Sequence, residues 1–279
     1  VTATAINKLG FIGGGNMAEA IVRGLLDKKL MQGSQLIMTD KSPQRLKWLR
    51  ETFPLTVVDD NHAVLSEADA VLFAVKPQNM AEVLSEIRED ARPEHLFMSI
   101  CAGTRARTIE EGLAKGGHEK PRVIRIMPNT PALIGEGMAG LSRGAHASQE
   151  DLDFALSVFR AVGEVLVIDE DQMDAMTALS GSGPAYVFYV IESLIEAGVE
   201  IGFSAEDAEK IVLKMVLGSA KLAHVSGKPV EELRRQVTSP GGTTAAGIAV
   251  LDEREVRDDF IAAVVAAELR GQQLGKGAR

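Results

Sequence analysis

Short apolar runs bounded by turn-forming residues mark the first half of the chain: Leu9 to Ile12, Leu36 to Thr39, Ala70 to Val75, Leu96 to Ile100 and Val123 to Met127. Runs of this length and character read as strands covered on both faces. Between them, apolar positions recur at helical spacing over 17–30, 43–53, 79–89 and 105–115. A helix at 149–161 and a strand near Val165 to Ile168 would complete this half. Strands alternating with helices predict an α/β fold built on a doubly wound parallel sheet with right-handed crossovers. From about residue 170 the period changes, and helices are predicted over 170–202, 205–226, 229–236, 244–251 and 255–274 with no further strand. Ser204, followed by Glu206 and Asp207, has the make-up of a helix N-cap. Phe260 to Ala267 is apolar on nearly every face, so that helix needs cover on several sides, which a second polypeptide would provide. With no linker-like composition between the halves, the join near residue 168 is expected to be tight.

The first predicted strand runs into Gly13-Gly14-Gly15-Asn16-Met17-Ala18 and a helix. This is a G-x-G-x-x-G/A pattern in the strand–turn–helix setting that gives it meaning. Gly13 permits the turn, Gly15 lets backbone approach a pyrophosphate, and Ala18 allows close helix packing. The helix start offers its unpaired N–H groups to the phosphates. At the end of the second strand, Asp40 stands where an acid can hold a ribose 2′-hydroxyl, which favours NAD. Lys41, Ser42 and Arg45 follow at once and could hold a 2′-phosphate instead, so the residues themselves leave NAD and NADP open. Val75-Lys76-Pro77-Gln78 and Cys101-Ala102-Gly103-Thr104 fall at the carboxyl ends of later strands, where open α/β sheets bind ligands. Lys76 is a candidate general acid or a helix cap. Asn129, between Pro128 and Pro131, is placed either to bond a carboxamide or to form an ordinary turn.

In the helical half, Ser180-Gly181-Ser182-Gly183-Pro184 has the small residues that let helices approach closely. Thr238-Ser239-Pro240-Gly241-Gly242-Thr243-Thr244 precedes another helix, a suitable place for a carboxylate or for a simple capped loop.

Of 279 residues, 46% are hydrophobic and 25% charged, the balance of an ordinary globular chain. The formal charge of −9 arises in the second half, and neither half is basic, which leaves nucleic-acid binding without electrostatic support. The single cysteine, Cys101, excludes an intrachain disulfide and fits a reducing compartment. The five histidines do not fall at metal-ligand spacing, so no metal site is expected. Val1 to Lys8 lacks the character of a signal peptide. The longest uncharged run, between Asp174 and Glu192, is short of a membrane span and contains Gly and Pro. A cytoplasmic location with no membrane association is expected.

Taken in order, Gly10 to Ala18, Val75 to Gln78, Arg125 to Pro131, Ser180 to Tyr186 and Thr238 to Leu251 resemble the motifs of the pyrroline-5-carboxylate reductase family along nearly the whole chain. The resemblance implies NAD(P)H-dependent reduction of 1-pyrroline-5-carboxylate to L-proline, with NADPH favoured and NADH possible. It implies a Rossmann-type domain at 1–168 and an all-helical substrate and dimerisation domain at 169–279. The latter would interlock two subunits, as a homodimer or a larger homo-oligomer. By the same resemblance, Ser239, Gly242 and Thr243 would hold the substrate carboxylate, Thr244 would be the catalytic group at the ring nitrogen, and Glu170 would stand near the substrate. On the cofactor side, Gly13, Gly14, Gly15, Asn16 and Met17 would form the glycine turn. Ser42 and Asn61 would meet the adenosine end, with Ala74, Val75, Lys76, Pro77, Ala102 and Gly103 along the ribose and nicotinamide. Two alternatives share parts of this layout: a hydroxyacid dehydrogenase with a helical second domain, and a non-enzymatic nucleotide sensor. The first would place a lysine soon after Gly181 to Gly183, where Pro184 to Tyr189 has none. The second lacks a basic or disordered partner arm.

Overall fold

The structure, a computed structural model, describes residues 6–277. Residues 1–5 of the stretch read above for a signal peptide lie outside the described residues. Strands β1 (Leu9–Ile12), β2 (Leu36–Thr39), β3 (Thr56–Val57), β4 (Ala70–Phe73), β5 (Leu96–Ser99) and β6 (Arg122–Met127) pair in parallel. β7 (Gly137–Arg143) returns antiparallel to β6, and β8 (Gly163–Val167) runs parallel to β7. The sheet order is β3-β2-β1-β4-β5-β6-β7-β8, so the winding direction reverses between β1 and β4. Such a reversal opens a crevice at the carboxyl ends of the two strands, the place where this architecture binds ligands.

Both faces of the sheet are buried at β1, β2, β4 and β5, which explains their apolar runs. Leu9, Phe11, Leu72, Met98 and Ile124 join one core with Ala18, Ile21 and Leu25 of α1 (Asn16–Asp27), Leu49 of α2 (Pro43–Thr52) and Phe159 of α6 (Gln149–Phe159). Their neighbours in sequence point the other way. Ile12, Val71, Phe73, Phe97 and Val123 meet Val64 of α3 (Asn61–Glu67), Leu84 of α4 (Met80–Ile87) and Ile109 of α5 (Ala106–Ala114). At roughly 1.5–3 kcal/mol for each large apolar side chain taken from water, these two layers supply the main driving force for this sheet.

β3, α3 and β7 do not show in the hydrophobic pattern. β7 is hidden because Gly137 and Gly140 break its apolar alternation. A Cβ at Gly137 would lie 2.8 Å from the Val162 carbonyl oxygen, and one at Gly140 would lie 2.8 Å from Met176 Cγ. Close approach, not weak strand character, selects these glycines. The single helix expected over 170–202 is also interrupted. α7 (Met173–Met176) passes into a π-helical turn, Thr177–Gly181, before α8 (Gly183–Glu200) begins. A Cβ at Gly181 would lie 2.5 Å from Met127 Cε, so the small residue here admits a neighbouring side chain.

The chain divides into two compact units, one reaching to Ser182 and including the stretch from Ala267, the other Gly183–Ala266. The second unit contains α8, α9 (Ala205–Ser226), α10 (Val230–Gln236), α11 (Thr243–Glu253) and the first part of α12 (Val256–Gly277). Ser204 caps α9, accepting from the Asp207 N–H at 3.1 Å and donating to its carboxylate at 2.7 Å. Within this unit α8 and α9 pack together, with Ala208 buried against Gly198. None of the residues of α8, α10 or α11 is buried. Phe188 is 57% exposed, Tyr189 69% and Leu217 64%, more apolar surface than isolated helices keep in water. Among the described residues, no helix is long and apolar enough to cross a membrane.

Candidate active site

A cavity of about 390 Å³ opens at the carboxyl ends of β1, β2 and β4. Ile12, Gly13, Gly15, Asp40, Lys41, Asn61, Ala74, Val75 and Lys76 line it. Its position follows from the strand order. Its floor follows from the glycines. Gly13 has φ +100°, and a Cβ there would lie 2.6 Å from the Ala74 carbonyl oxygen, so only glycine allows β1 to turn beside β4. Gly15 is the α1 N-cap, with no side-chain bond to the first turn, and a Cβ on it would meet nothing within 4 Å. Its backbone therefore faces open space, a cradle that a phosphate fits and that a methyl group would occupy. Asn16 and Met17 form the first turn of α1.

Gly14 is held from both sides. Its N–H donates to Asp40 Oδ2 at 2.8 Å, and its carbonyl oxygen accepts from Arg45 Nε at 2.5 Å. Asp40 Oδ1 accepts from the Ser42 N–H at 2.8 Å. Arg45 also pairs with Glu19 at 2.8 Å and lies over the Trp48 ring at 4.1 Å. Burial pushes the Glu19 carboxyl up, but Arg45 and Arg23 together hold it below its ordinary value. Ser42 caps α2 by accepting from the Arg45 N–H, and its hydroxyl donates to Gln44. Lys41 is exposed on the cavity wall and makes no ion pair among the described residues. Asn61 opens α3 and donates to Glu86 at 2.8 Å.

Lys76 precedes the short helical turn Pro77–Asn79, makes no capping bond with its side chain and lines the cavity. Pro77 lines a different groove, with Thr104, Arg88 and Lys115. Beyond β5, Cys101 donates to the Val75 carbonyl oxygen at 3.1 Å, and burial pushes its thiol up to about 11. A thiol so held is a structural link between the 74–77 and 101–103 segments, not a nucleophile. Ala102 is exposed, and Gly103 turns with φ +73°. Asn129 accepts from the Met138 N–H at 2.8 Å and donates to Ser180 at 3.2 Å, tying β7 to the π-helical turn. Glu170 accepts from the Ala106 N–H at 2.7 Å, where α5 starts, and lies 3.4 Å from the buried Arg125, which also faces Asp174 at 3.7 Å.

Ser239, Gly242, Thr243 and Thr244 lie together in the second unit. Gly241 turns with φ +72°, and Gly242 is the N-cap of α11 without a side-chain cap. A Cβ on Gly242 would lie 2.5 Å from Ser239 Oγ, so the hydroxyl sits directly over the helix start. Thr243 and Thr244 open the helix and are exposed. The local geometry presents unpaired N–H groups and three hydroxyls at a positive helix end, a setting for a carboxylate.

Asn79, at the N-cap of α4, and Glu82 and Glu86 of α4 also line the cavity at the strand ends and are not among the residues expected from the sequence. Their signal was present: polar residues on the opposite stripe from the buried Met80, Val83, Leu84 and Ile87.

Two family models match the chain. One, described as pyrroline-5-carboxylate reductase dimerisation, covers residues 170–274, and one described as NADP oxidoreductase, coenzyme F420-dependent, covers residues 8–103. The pyrroline-5-carboxylate reductase of Methanosarcina acetivorans is 39% identical over 96% of this chain and 98% of its own length. That of Synechocystis is 40% identical over 96% and 98%. Among solved structures, the Coxiella burnetii reductase aligns with a TM-score of 0.88 at 36% identity, covering 97% of this chain and 99% of that one. The Plasmodium falciparum pyrroline carboxylate reductase, solved with NADP bound, aligns at 0.86 with 31% identity, over 97% and 100%.

Proposed function

The chain belongs to the pyrroline-5-carboxylate reductase family, and from that premise we propose how its residues perform the reaction. It reduces the cyclic imine 1-pyrroline-5-carboxylate to L-proline with NADPH, the final step of proline biosynthesis. One observation carries this reading: the end-to-end match to named reductases, 39% identical over 96% of this chain and 98% of the relative's length.

The nicotinamide cofactor supplies a hydride when bound. The turn Gly13-Gly14-Gly15 would carry its pyrophosphate, with Gly13 and Gly14 shaping the turn through their bonds to Thr39 and Asp40 and with Gly15, Asn16 and Met17 offering backbone N–H groups at the start of α1. Ser42 and Asn61 meet the adenosine end, while Ala74, Val75, Lys76, Pro77, Ala102, Gly103 and Asn129 direct the rest. Ser239, Gly242 and Thr243 hold the substrate carboxylate, and the Thr244 hydroxyl hydrogen-bonds the ring nitrogen. A protonated imine is already electrophilic at carbon, so this loop mainly has to orient the ring. Orientation of this kind contributes about 7–11 kcal/mol in well-aligned systems. For Glu170, the bonds to Ala106 and Arg125 favour a part in positioning the strand ends around the substrate.

The chain forms a homo-oligomer through its dimerisation segment. We take the basic unit as a homodimer that covers the exposed apolar sides of α8 and α9, in a cytoplasmic setting consistent with one buried thiol. The test is turnover of 1-pyrroline-5-carboxylate, followed by loss of reduced-nicotinamide absorbance, beside 1-pyrroline, which has the imine but no carboxylate. Rapid reduction of the first and a rate lower by at least about a hundredfold for the second is expected, roughly the loss of a charge-assisted contact pair. Equal rates would exclude the carboxylate-holding loop, and no turnover of either would exclude the reaction.

A further inference from the structure

An acid at the end of the second strand of a dinucleotide-binding sheet ordinarily holds the ribose 2′-hydroxyl and repels a 2′-phosphate. Asp40 occupies that place, yet both of its oxygens point into the protein's own backbone. Oδ2 accepts from the Gly14 N–H and Oδ1 from the Ser42 N–H, each at 2.8 Å. The next peptide unit, on the other side of the Gly14 Cα, belongs to Arg45, whose Nε donates to the Gly14 carbonyl oxygen. Arg45 is itself locked by Glu19 and by stacking on Trp48. The two residues that would contest the cofactor's 2′ position are thus engaged in gripping one glycine. Ser42 is engaged too, as the cap of α2. Of the polar side chains on this strand end, Lys41 remains exposed at the cavity with no ion-pair partner among the described residues.

We propose that Asp40 is a positioning residue, which together with Arg45 sets the shape of the glycine turn, and that Lys41 is the residue that selects a 2′-phosphorylated nucleotide. This rests on the cofactor reading above. The physical reasoning is local. A carboxylate that accepts two backbone N–H bonds has its negative charge drawn towards those amides and away from the ribose. Removing it loosens the turn against which any dinucleotide lays its pyrophosphate, whichever ribose it carries. Lys41, by contrast, adds a point charge that only the 2′-phosphate meets. Glu82 and Glu86 also line the cavity, so Lys41 and Lys76 bring the only positive charges among its lining residues.

The experiment uses the full chain and the variants Lys41→Gln, Asp40→Ala and Asp40→Asn, each first checked by thermal melting. Dissociation constants for NADPH and NADH are measured by fluorescence titration. Those for adenosine 2′,5′-bisphosphate and 5′-AMP, which carry the same distinction without the nicotinamide, are measured by calorimetry. Lys41→Gln should weaken NADPH and the bisphosphate by about tenfold, the scale of one charge-assisted bond, and leave NADH and 5′-AMP within about twofold. Asp40→Ala should weaken NADPH and NADH by similar factors, keeping their ratio within about twofold, and Asp40→Asn should recover part of both because its carbonyl still accepts one amide. If Asp40→Ala or Asp40→Asn tightens NADPH while weakening NADH, Asp40 reads the ribose and the proposal is overturned. Equal weakening of both cofactors by Lys41→Gln would overturn the role of Lys41. Cofactor binding with this pattern but no imine reduction would overturn the reaction assigned above and uphold this inference. A folded protein that binds neither nicotinamide would overturn both.

Discussion

Gly13 and Gly15 stand two residues apart in one turn, and the structure separates what each does. At Gly15, φ is −70° and a Cβ would meet nothing within 4 Å. Gly15→Ala therefore adds no strain. Its loss as an N-cap, a few tenths to about 1 kcal/mol, is offset by about 0.4–1 kcal/mol from a less flexible unfolded chain. The melting temperature should barely change. The methyl group nevertheless fills the space that the pyrophosphate needs, and NADPH affinity should fall at least about tenfold, or 1.4 kcal/mol. At Gly13, φ is +100° and the new Cβ would lie 2.6 Å from the Ala74 carbonyl oxygen. Gly13→Ala should cost about 1–3 kcal/mol of stability before any ligand is considered. Paired thermal melts and NADPH titrations distinguish the two variants. Unchanged NADPH affinity in Gly15→Ala would refute the placement of the phosphates. A large loss of stability in that variant would refute the geometry of the turn.

Thr244→Ala should lower kcat with the fold intact, and unchanged kcat/KM in steady-state assays would remove Thr244 from the chemistry. Gly242→Val should raise KM for the imine substrate far more than it changes NADPH affinity, because its side chain would collide with Ser239 Oγ over the helix start. A parallel loss of both would point to misfolding instead. His95 provides a pH test. Burial is the main cause that lowers its pKa to about 4, while its Nε2 bonds the Leu65 carbonyl oxygen and its Nδ1 accepts from the Arg92 N–H. Between the unfolded value near 6.5 and about 4, the unfolded chain binds a proton that the folded chain refuses. This contribution is complete above pH 6.5 and lost as pH falls through that window, on the order of 3 kcal/mol. Urea midpoints for wild type and His95→Phe between pH 7 and 4.5 should show the shallower slope in the variant, and equal slopes would contradict the assignment.

The sheet and the glycine turn after β1 were legible because their causes are local. β1, β2, β4, β5 and β6 are mostly apolar since helices cover both faces, and Gly13 sits where backbone geometry leaves no other choice, with Gly15 two residues on in open space. The helical half was legible for a similar reason: α9 begins where Ser204 and Asp207 predict. β7 was not, because Gly137 and Gly140 answer to Val162 and Met176, partners distant in sequence. The π-helical turn at Thr177–Gly181 escaped notice likewise, since the contact of Gly181 with Met127 is tertiary. At the site, the glycine turn and the Ser239–Thr244 loop carried their signal in short motifs. The engagement of Asp40, Arg45 and Glu170 depended on hydrogen bonds to Gly14, Ser42 and Ala106 that no spacing rule encodes.

The central claim is that a hydride passes from NADPH to the imine carbon of 1-pyrroline-5-carboxylate. Reduction with NADPH deuterated on the transferring face of nicotinamide C4, followed by NMR of the product, tests it most directly. The account predicts L-proline with one deuterium at the δ-carbon and none at the α-carbon. Proline without deuterium, or no proline from folded protein that binds NADPH, would contradict it.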